Sequence, residues 1–331
     1  MRAAVFTAVQ KPWSIQNVPD PKPKDGQVLI RIRASGMCGT DLHVQNGVFP
    51  VKTPLVIGHE PVGEIAELGP GVTDLRVGDR VGVSWHQKGD GRCRYCQTGR
   101  PKYCPEVQTW ANLGGGNAEL MVAWASGCTL LPKGIEWVDA APIFCAGFTV
   151  FSGLRNGAPK PGERVAVLGI GGLGHLAVQY AHALGLETFA LTGSANKVDE
   201  AKKLGADEVI VSKDDFGKAL ADAGGADVIL STTNSAAQAS QAAKGLRPEG
   251  RFVNMGLLDA PLQIDPFQFL SMQCRVVGST QNERLDLVEA LELVAAKKVK
   301  PMLEVSPLDK ANEVRERLEA GKVRYRAVLT L

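Results

Sequence analysis

The feature that most limits what this chain can fold into is Gly169-Ile170-Gly171-Gly172-Leu173-Gly174. It stands between an apolar run, Val165-Ala166-Val167-Leu168, and a helical pattern of Leu173, Leu176, Ala177, Tyr180, Ala181 and Leu184. In such a strand-turn-helix the first glycine lets the chain turn tightly, the second lets backbone approach a pyrophosphate, and the third lets helix pack on sheet. The helix N-terminus then faces the phosphates. Phe189-Ala190-Leu191, Val209-Ile210-Val211, Val228-Ile229-Leu230, Phe252-Val253 and Val276-Val277 read as further strands, with helical patterns between most of them. Repeated strand-helix units predict a parallel, doubly wound α/β sheet that binds a dinucleotide.

The choice of dinucleotide should show at the end of the second strand. There, an Asp or Glu about twenty residues past the glycines would bind the adenosine ribose hydroxyls. This chain has Leu191-Thr192-Gly193-Ser194 at that place, with Lys197 nearby and no acid before Asp199. An acid would repel a 2′-phosphate, whereas hydroxyls, free N–H groups and a lysine can receive one. The expectation is NADP(H) in preference to NAD(H), although any solvated helix start would show similar residues.

The chain before this region follows a different pattern. From Arg2 to about Ala141, short runs such as Ala3-Ala4-Val5-Phe6, Val28-Leu29-Ile30-Arg31-Ile32-Arg33 and Val62-Gly63-Glu64-Ile65-Ala66-Glu67 alternate with Gly- and Pro-rich turns. This part is predicted to be mostly β. At 331 residues the chain is long for one core, and about two domains are expected. The expected limits are residues 145–281 for the nucleotide domain, with 1–144 and 282–331 forming the other. The amphipathic pattern of Leu287, Val288, Leu291 and Val294 and the terminal Ala327-Val328-Leu329 are read as returning to the first domain.

With 37 basic and 35 acidic residues, net charge +2, the chain lacks the basic footprint of a nucleic-acid binder. No apolar run approaches membrane-spanning length, and Met1-Arg2-Ala3-Ala4-Val5-Phe6 does not read as a secretory signal, so no membrane partner and a cytoplasmic location are expected. Seven cysteines, three of them crowded at Cys93, Cys96 and Cys104, favour metal over disulfides in a reducing compartment.

The metal candidates fall in two groups. Cys38, in Gly36-Met37-Cys38-Gly39-Thr40-Asp41-Leu42-His43, His59, in Gly58-His59-Glu60, and the distant Cys145 supply two thiolates and an imidazole. Those are the three protein ligands of a catalytic zinc with one position left open. Cys93, Cys96 and Cys104 are three cysteines at the spacing of a closed metal site.

Taken together, these motifs and Cys145-Ala146-Gly147-Phe148-Thr149 resemble the zinc-dependent medium-chain alcohol dehydrogenases over essentially the whole chain. The resemblance implies a GroES-like, mostly-β catalytic domain beside the Rossmann domain, and zinc held by Cys38, His59 and Cys145 with Glu60 able to approach it. It implies that Thr40 touches the substrate oxygen and that the proton passes through a cofactor ribose hydroxyl to His43. Thr149, Met255 and Leu257 would contact the nicotinamide, and Arg284 a phosphate. Phe49, Trp85 and Trp110 would line the substrate pocket and narrow it toward flat or slim primary alcohols and their aldehydes. It also implies a structural zinc loop formed by Asp90, Cys93, Cys96 and Cys104, in which a carboxylate oxygen would take one position; the departures from the family pattern are this Asp90, where a fourth cysteine is usual, and Gln281-Asn282-Glu283-Arg284, in a segment usually richer in glycine. A homo-oligomer, dimer or tetramer, follows from resemblance alone. The competing expectations are an NAD-dependent ethanol-type enzyme and a non-catalytic zinc- and nucleotide-binding regulator.

Overall fold

Residues 1–331 are described in full by the computed structural model. The chain divides into two compact units, Met1–Cys145 with Pro301–Leu331, and Ala146–Lys300.

In the first unit the organising strand is Gln27–Met37. Its outward positions carry arginines and its inward positions Val28, Ile30, Ile32 and Ala34, the alternation expected of a strand with one buried face. It lies antiparallel to Glu60–Leu68 along one edge. Along the other edge it pairs first with Leu120–Trp124 and then with the terminal strand Arg326–Thr330, where Met37 faces Ala327 and Gly36 faces Val328. These strands belong to a seven-stranded sheet, beside a three-stranded sheet that contains Arg2–Phe6. The core collects Phe6, Trp13, Ile30, Ile32, Met37, Ile57 and Trp110. The register matters for function because it sets Cys38, at the end of one strand, against Glu60, at the start of its neighbour, and Arg326, at the start of the terminal strand.

The second unit is a six-stranded parallel sheet of Arg164–Leu168, Glu187–Thr192, Glu208–Val211, Ala226–Ser231, Leu246–Asn254 and Arg275–Gly278. In space the strands run third, second, first, fourth, fifth, sixth, the order of a Rossmann sheet. The first helix after the glycine turn, Gly174–Ala183, buries Leu176, Ala177, Tyr180 and Ala181 completely, which is why its apolar residues recur at helical spacing. Gly185, at φ 75°, ends the helix in the left-handed conformation.

The expected domain limits are corrected at two places. Cys145 closes the first unit instead of opening the second. Helix Arg284–Ala295 stays with the parallel sheet, and the chain returns to the first unit only at Pro301. The physical reason is its packing on helices Ala146–Gly157 and Gly174–Ala183. The Ser152 hydroxyl donates to Asp286 at 2.8 Å and the Tyr180 hydroxyl to the Ala290 carbonyl at 3.2 Å. Its apolar face therefore has a core to join, which its sequence alone does not reveal. No single helix is long and apolar enough to cross a membrane.

Candidate metal and nucleotide sites

Helix Gly39–Gln45 begins with Cys38 as its N-cap. The Thr40 N–H donates to the Cys38 sulfur at 3.3 Å, and the Asp41 carboxylate accepts the Cys38 N–H at 2.8 Å. Capping therefore aims a sulfur and a carboxylate at the same place. The other Asp41 oxygen lies 3.1 Å from His59 Nδ1, both side chains fully buried. With Nδ1 facing Asp41, the Nε2 edge of His59 faces Cys38 Sγ, 3.2 Å away.

Cys38 and Cys145 bring their sulfurs to 3.8 Å. Two sulfurs each about 2.3 Å from a tetrahedral zinc stand about 3.8 Å apart, so the spacing fits that ion. Together with Glu60, these residues hold one ligand atom each within 4.8 Å of one another. The hydrogen bond from Cys145 lowers Cys38 well below the ordinary thiol range, with His59 and Arg326 helping against burial. The same sulfur contact, with burial, raises Cys145. Burial opposes a charge on His59, but the Cys38 and Asp41 charges outweigh it and raise its pKa.

Glu60 forms a contact that the sequence reading missed. Its carboxylate is buried against the Arg326 guanidinium, whose Nη2 reaches both oxygens, Oε2 at 2.6 Å. Burial pushes the Glu60 carboxyl up to about 8, with Arg326 pulling the other way. A Cβ at Gly36 would fall 2.0 Å from Glu60 Oε2, so the glycine makes the room. The available signal was a charged residue opening the apolar run Arg326-Ala327-Val328-Leu329.

The aromatic residues do gather around the imidazole ligand. Ring centroids of Trp85 and Trp110 lie 5.5 and 6.3 Å from His59, Trp85 and Trp110 are 5.7 Å apart, and Phe49 is 6.3 Å from Trp85. Thr40 and His43, three apart on one helix, are both half-buried, and His43 stacks edge-on to Phe49 at 5.4 Å.

The second group also assembles, with ligand atoms of Asp90, Cys93, Cys96 and Cys104 within 4.8 Å of one another. Asp90 Oδ1 accepts the Arg92 and Cys93 N–H groups at 2.8 and 3.0 Å, and the Asp90 N–H donates to the Cys104 sulfur at 3.3 Å. Those backbone bonds, with contacts from the Cys96 and Cys93 thiols, hold the Asp90 carboxyl well below its usual range. A Cβ at Gly89 would lie 2.4 Å from the Cys96 sulfur, so the loop closes tightly on its donors. Three sulfurs and one carboxylate oxygen suit zinc.

In the second unit, Gly169 has φ 88°, and a Cβ on Gly174 would strike the Gly169 carbonyl at 1.8 Å, whereas the Cβ position of Gly171 is open. Only the turn and the packing contact exclude side chains; the open position is the one at which backbone can approach a pyrophosphate. Beside it is a cavity of about 370 Å³ lined by Gly169, Ile170, Thr192, Gly193, Ser194 and Lys197, by Ser212, Lys213 and Phe216 after the third strand, and by Gln238 on the helix after the fourth. The latter four were not anticipated. Gly171, Gly172, Leu173, Gly174, Thr149, Met255, Leu257 and Arg284 lie outside that lining. Thr149 is buried on helix Ala146–Gly157, and Met255 packs so closely on that helix that a Cβ at Gly153 would meet its sulfur at 2.1 Å. Leu257 is 47% exposed, and Arg284 is exposed at its helix start.

Residues 24–133 match the family model of the alcohol dehydrogenase GroES-like domain and 172–296 that of the zinc-binding dehydrogenases. An alcohol dehydrogenase of Geobacillus stearothermophilus is 42% identical over 99% of both chains. The crystal structure of the alcohol dehydrogenase of Aeropyrum pernix superposes with a TM-score of 0.91 at 32% identity, covering 100% of both chains. A cinnamyl alcohol dehydrogenase of Sorghum bicolor gives 0.91 at 31% identity, covering 99% of this chain and 97% of the other.

Proposed function

This chain belongs to the zinc-containing medium-chain alcohol dehydrogenase family, and from that membership we propose that it is an NADP(H)-preferring enzyme for primary alcohols and their aldehydes. Zinc-dependent alcohol dehydrogenase activity, with a nicotinamide cofactor, comes with the family and the donor sets. The finer reading, an aldehyde reductase when NADPH is abundant, is carried by one observation. The cavity at the end of the second strand offers Thr192, Ser194, Ser212, Lys197 and Lys213, and no carboxylate.

Cys38, His59 and Cys145 would hold the catalytic zinc with Glu60 in reach, and Asp90, Cys93, Cys96 and Cys104 the structural one. Bound zinc supplies a Lewis acid that polarises the substrate oxygen, and bound nicotinamide supplies or accepts the hydride. Asp41 orients His59 and fixes its tautomer. The Thr40 hydroxyl takes or returns the proton of the substrate oxygen, and His43, on the same helix face, is the outer end of the path that exchanges it with solvent. Trp85, Trp110 and Phe49 favour flat or slim substrates and keep water from the donors. Thr149, Met255, Leu257 and Arg284 remain the proposed contacts for nicotinamide and phosphate.

A cytoplasmic homo-oligomer is part of the same proposal. The sixth strand, Arg275–Gly278, is an open sheet edge, and Phe267 and Leu270 beside it are 74% and 78% exposed, a surface that favours association. The deciding experiment is steady-state reduction of benzaldehyde and acetaldehyde with NADPH and with NADH, alongside metal analysis. A wide margin for NADPH is expected; a margin for NADH would overturn the cofactor reading.

A further inference from the structure

We propose that Lys213, on the loop after the third parallel strand, is the residue that selects a 2′-phosphorylated adenosine, and that Lys197 serves chiefly as a brace. This inference rests on the NADP(H) reading above and adds the residue that enforces it.

The register of the sheet brings Lys213 to the site. The second and third strands run parallel with Thr192 opposite Val211, so the loops that follow them start side by side. The Ser212 N–H donates to the Thr192 carbonyl at 3.1 Å and ties the two loops together. Lys213 therefore lines the same cavity as Gly193 and Ser194, although twenty residues separate Gly193 from Lys213 in the chain.

The two lysines differ in what they already hold. Lys197 Nζ donates to the Ile170 carbonyl at 2.6 Å, across to the glycine turn, which positions that turn and occupies the ammonium. Lys213 is exposed at the cavity and enters no ion pair. Of the two acids that follow it, the adjacent Asp214 is exposed and does not line the cavity, and Asp215 is engaged as the N-cap of helix Phe216–Asp222, accepting the Lys218 N–H at 2.9 Å. No carboxylate lines the cavity to neutralise Lys213 or to repel a phosphate. The Ser212 and Ser194 hydroxyls stand beside it as neutral donors. The Cβ position of Gly193 meets only the Ser212 carbonyl, at 3.6 Å, so the wall between the two loops stays open.

A phosphate at that place gains a charge-assisted contact from a mobile ammonium that gives up no existing partner. The test is calorimetric binding of 2′,5′-ADP and of 5′-AMP to the zinc-loaded enzyme, together with the NADPH to NADH ratio of kcat/KM. The proteins compared are the wild type, Lys213→Met, Lys213→Arg and Lys197→Met. The expected result is that Lys213→Met weakens 2′,5′-ADP about 10- to 100-fold more than 5′-AMP and lowers the ratio equally, that Lys213→Arg restores most of both, and that Lys197→Met weakens the two nucleotides together. Equal effects of Lys213→Met on both nucleotides, in an enzyme that prefers 2′,5′-ADP, would overturn the role of Lys213 and leave the NADP(H) reading standing. A wild type that prefers 5′-AMP would overturn both.

Discussion

In the buried group of Cys38, His59, Glu60 and Cys145, the His59 and Glu60 donors lean on other side chains, Asp41 behind His59 and Arg326 behind Glu60, while the Cys38 sulfur also accepts the Thr40 N–H. At Asp90, Cys93, Cys96 and Cys104 they lean on backbone N–H groups in an exposed lobe. Two sulfurs and a nitrogen with a carboxylate nearby, and three sulfurs with a carboxylate, are similar donor sets. What differs is the surrounding shell. Side-chain partners in a dry site orient ligands and tune charge, as chemistry at a bound substrate requires. Backbone partners fix the path of a loop and do little else. The lobe therefore has the construction of a structural site, and the buried set that of a reactive one.

The largest effect expected from this contrast is at Cys38. Cys38→Ser should lower kcat/KM for benzaldehyde by at least about 10³-fold, more than removal of one polarising donor usually costs. NADPH binding, read by calorimetry, should persist. Full turnover in that variant would break the assignment.

A smaller effect separates the lobe from the buried set. During dialysis against EDTA, the zinc of the lobe should leave first, while initial turnover holds and the thermal midpoint falls. Asp90→Cys, which replaces a hard oxygen by sulfur, should slow that loss roughly tenfold, the order by which changes around a zinc ligand alter affinity. Simultaneous loss of both zincs at one rate would show that the two shells do not differ in the way described.

The smallest effect lies on the short strand His86–Lys88, which precedes Asp90 in the chain. His86, four residues before Asp90, has its pKa lowered to about 4 by burial and by the charge of Lys102. Between pH 6.5 and 4 the unfolded chain takes up a proton that the folded chain refuses. His86 therefore costs no stability above pH 6.5 and removes up to about 3 kcal/mol as the pH falls toward 4. Urea unfolding of His86→Gln at pH 7 and pH 4.5 should show a shallower decline than the wild type. An identical decline would place the acid sensitivity elsewhere.

Much of the site could be read in advance because its parts are local. Cys38 and Asp41 are three residues apart on one capped turn, Asp90 to Cys96 form one short loop, and Gly169 to Gly174 form one turn; each answers a nearby steric or coordination demand. The helix Arg284–Ala295 was misassigned for the opposite reason. An amphipathic pattern states that a helix has a buried face but not which core receives it, and here the receiving surfaces are Ala146–Gly157 and Gly174–Ala183.

The sequence by itself determined the two candidate donor groups, the glycine turn and the absence of an acid directly after the second strand, because residue type and short-range spacing are enough to specify them. Only the tertiary structure decided that Arg326 pairs with Glu60 and that Lys213 joins the cavity begun at Gly169. Both depend on strand register, and register is set by packing between segments far apart in the chain, to which no local pattern of residues refers.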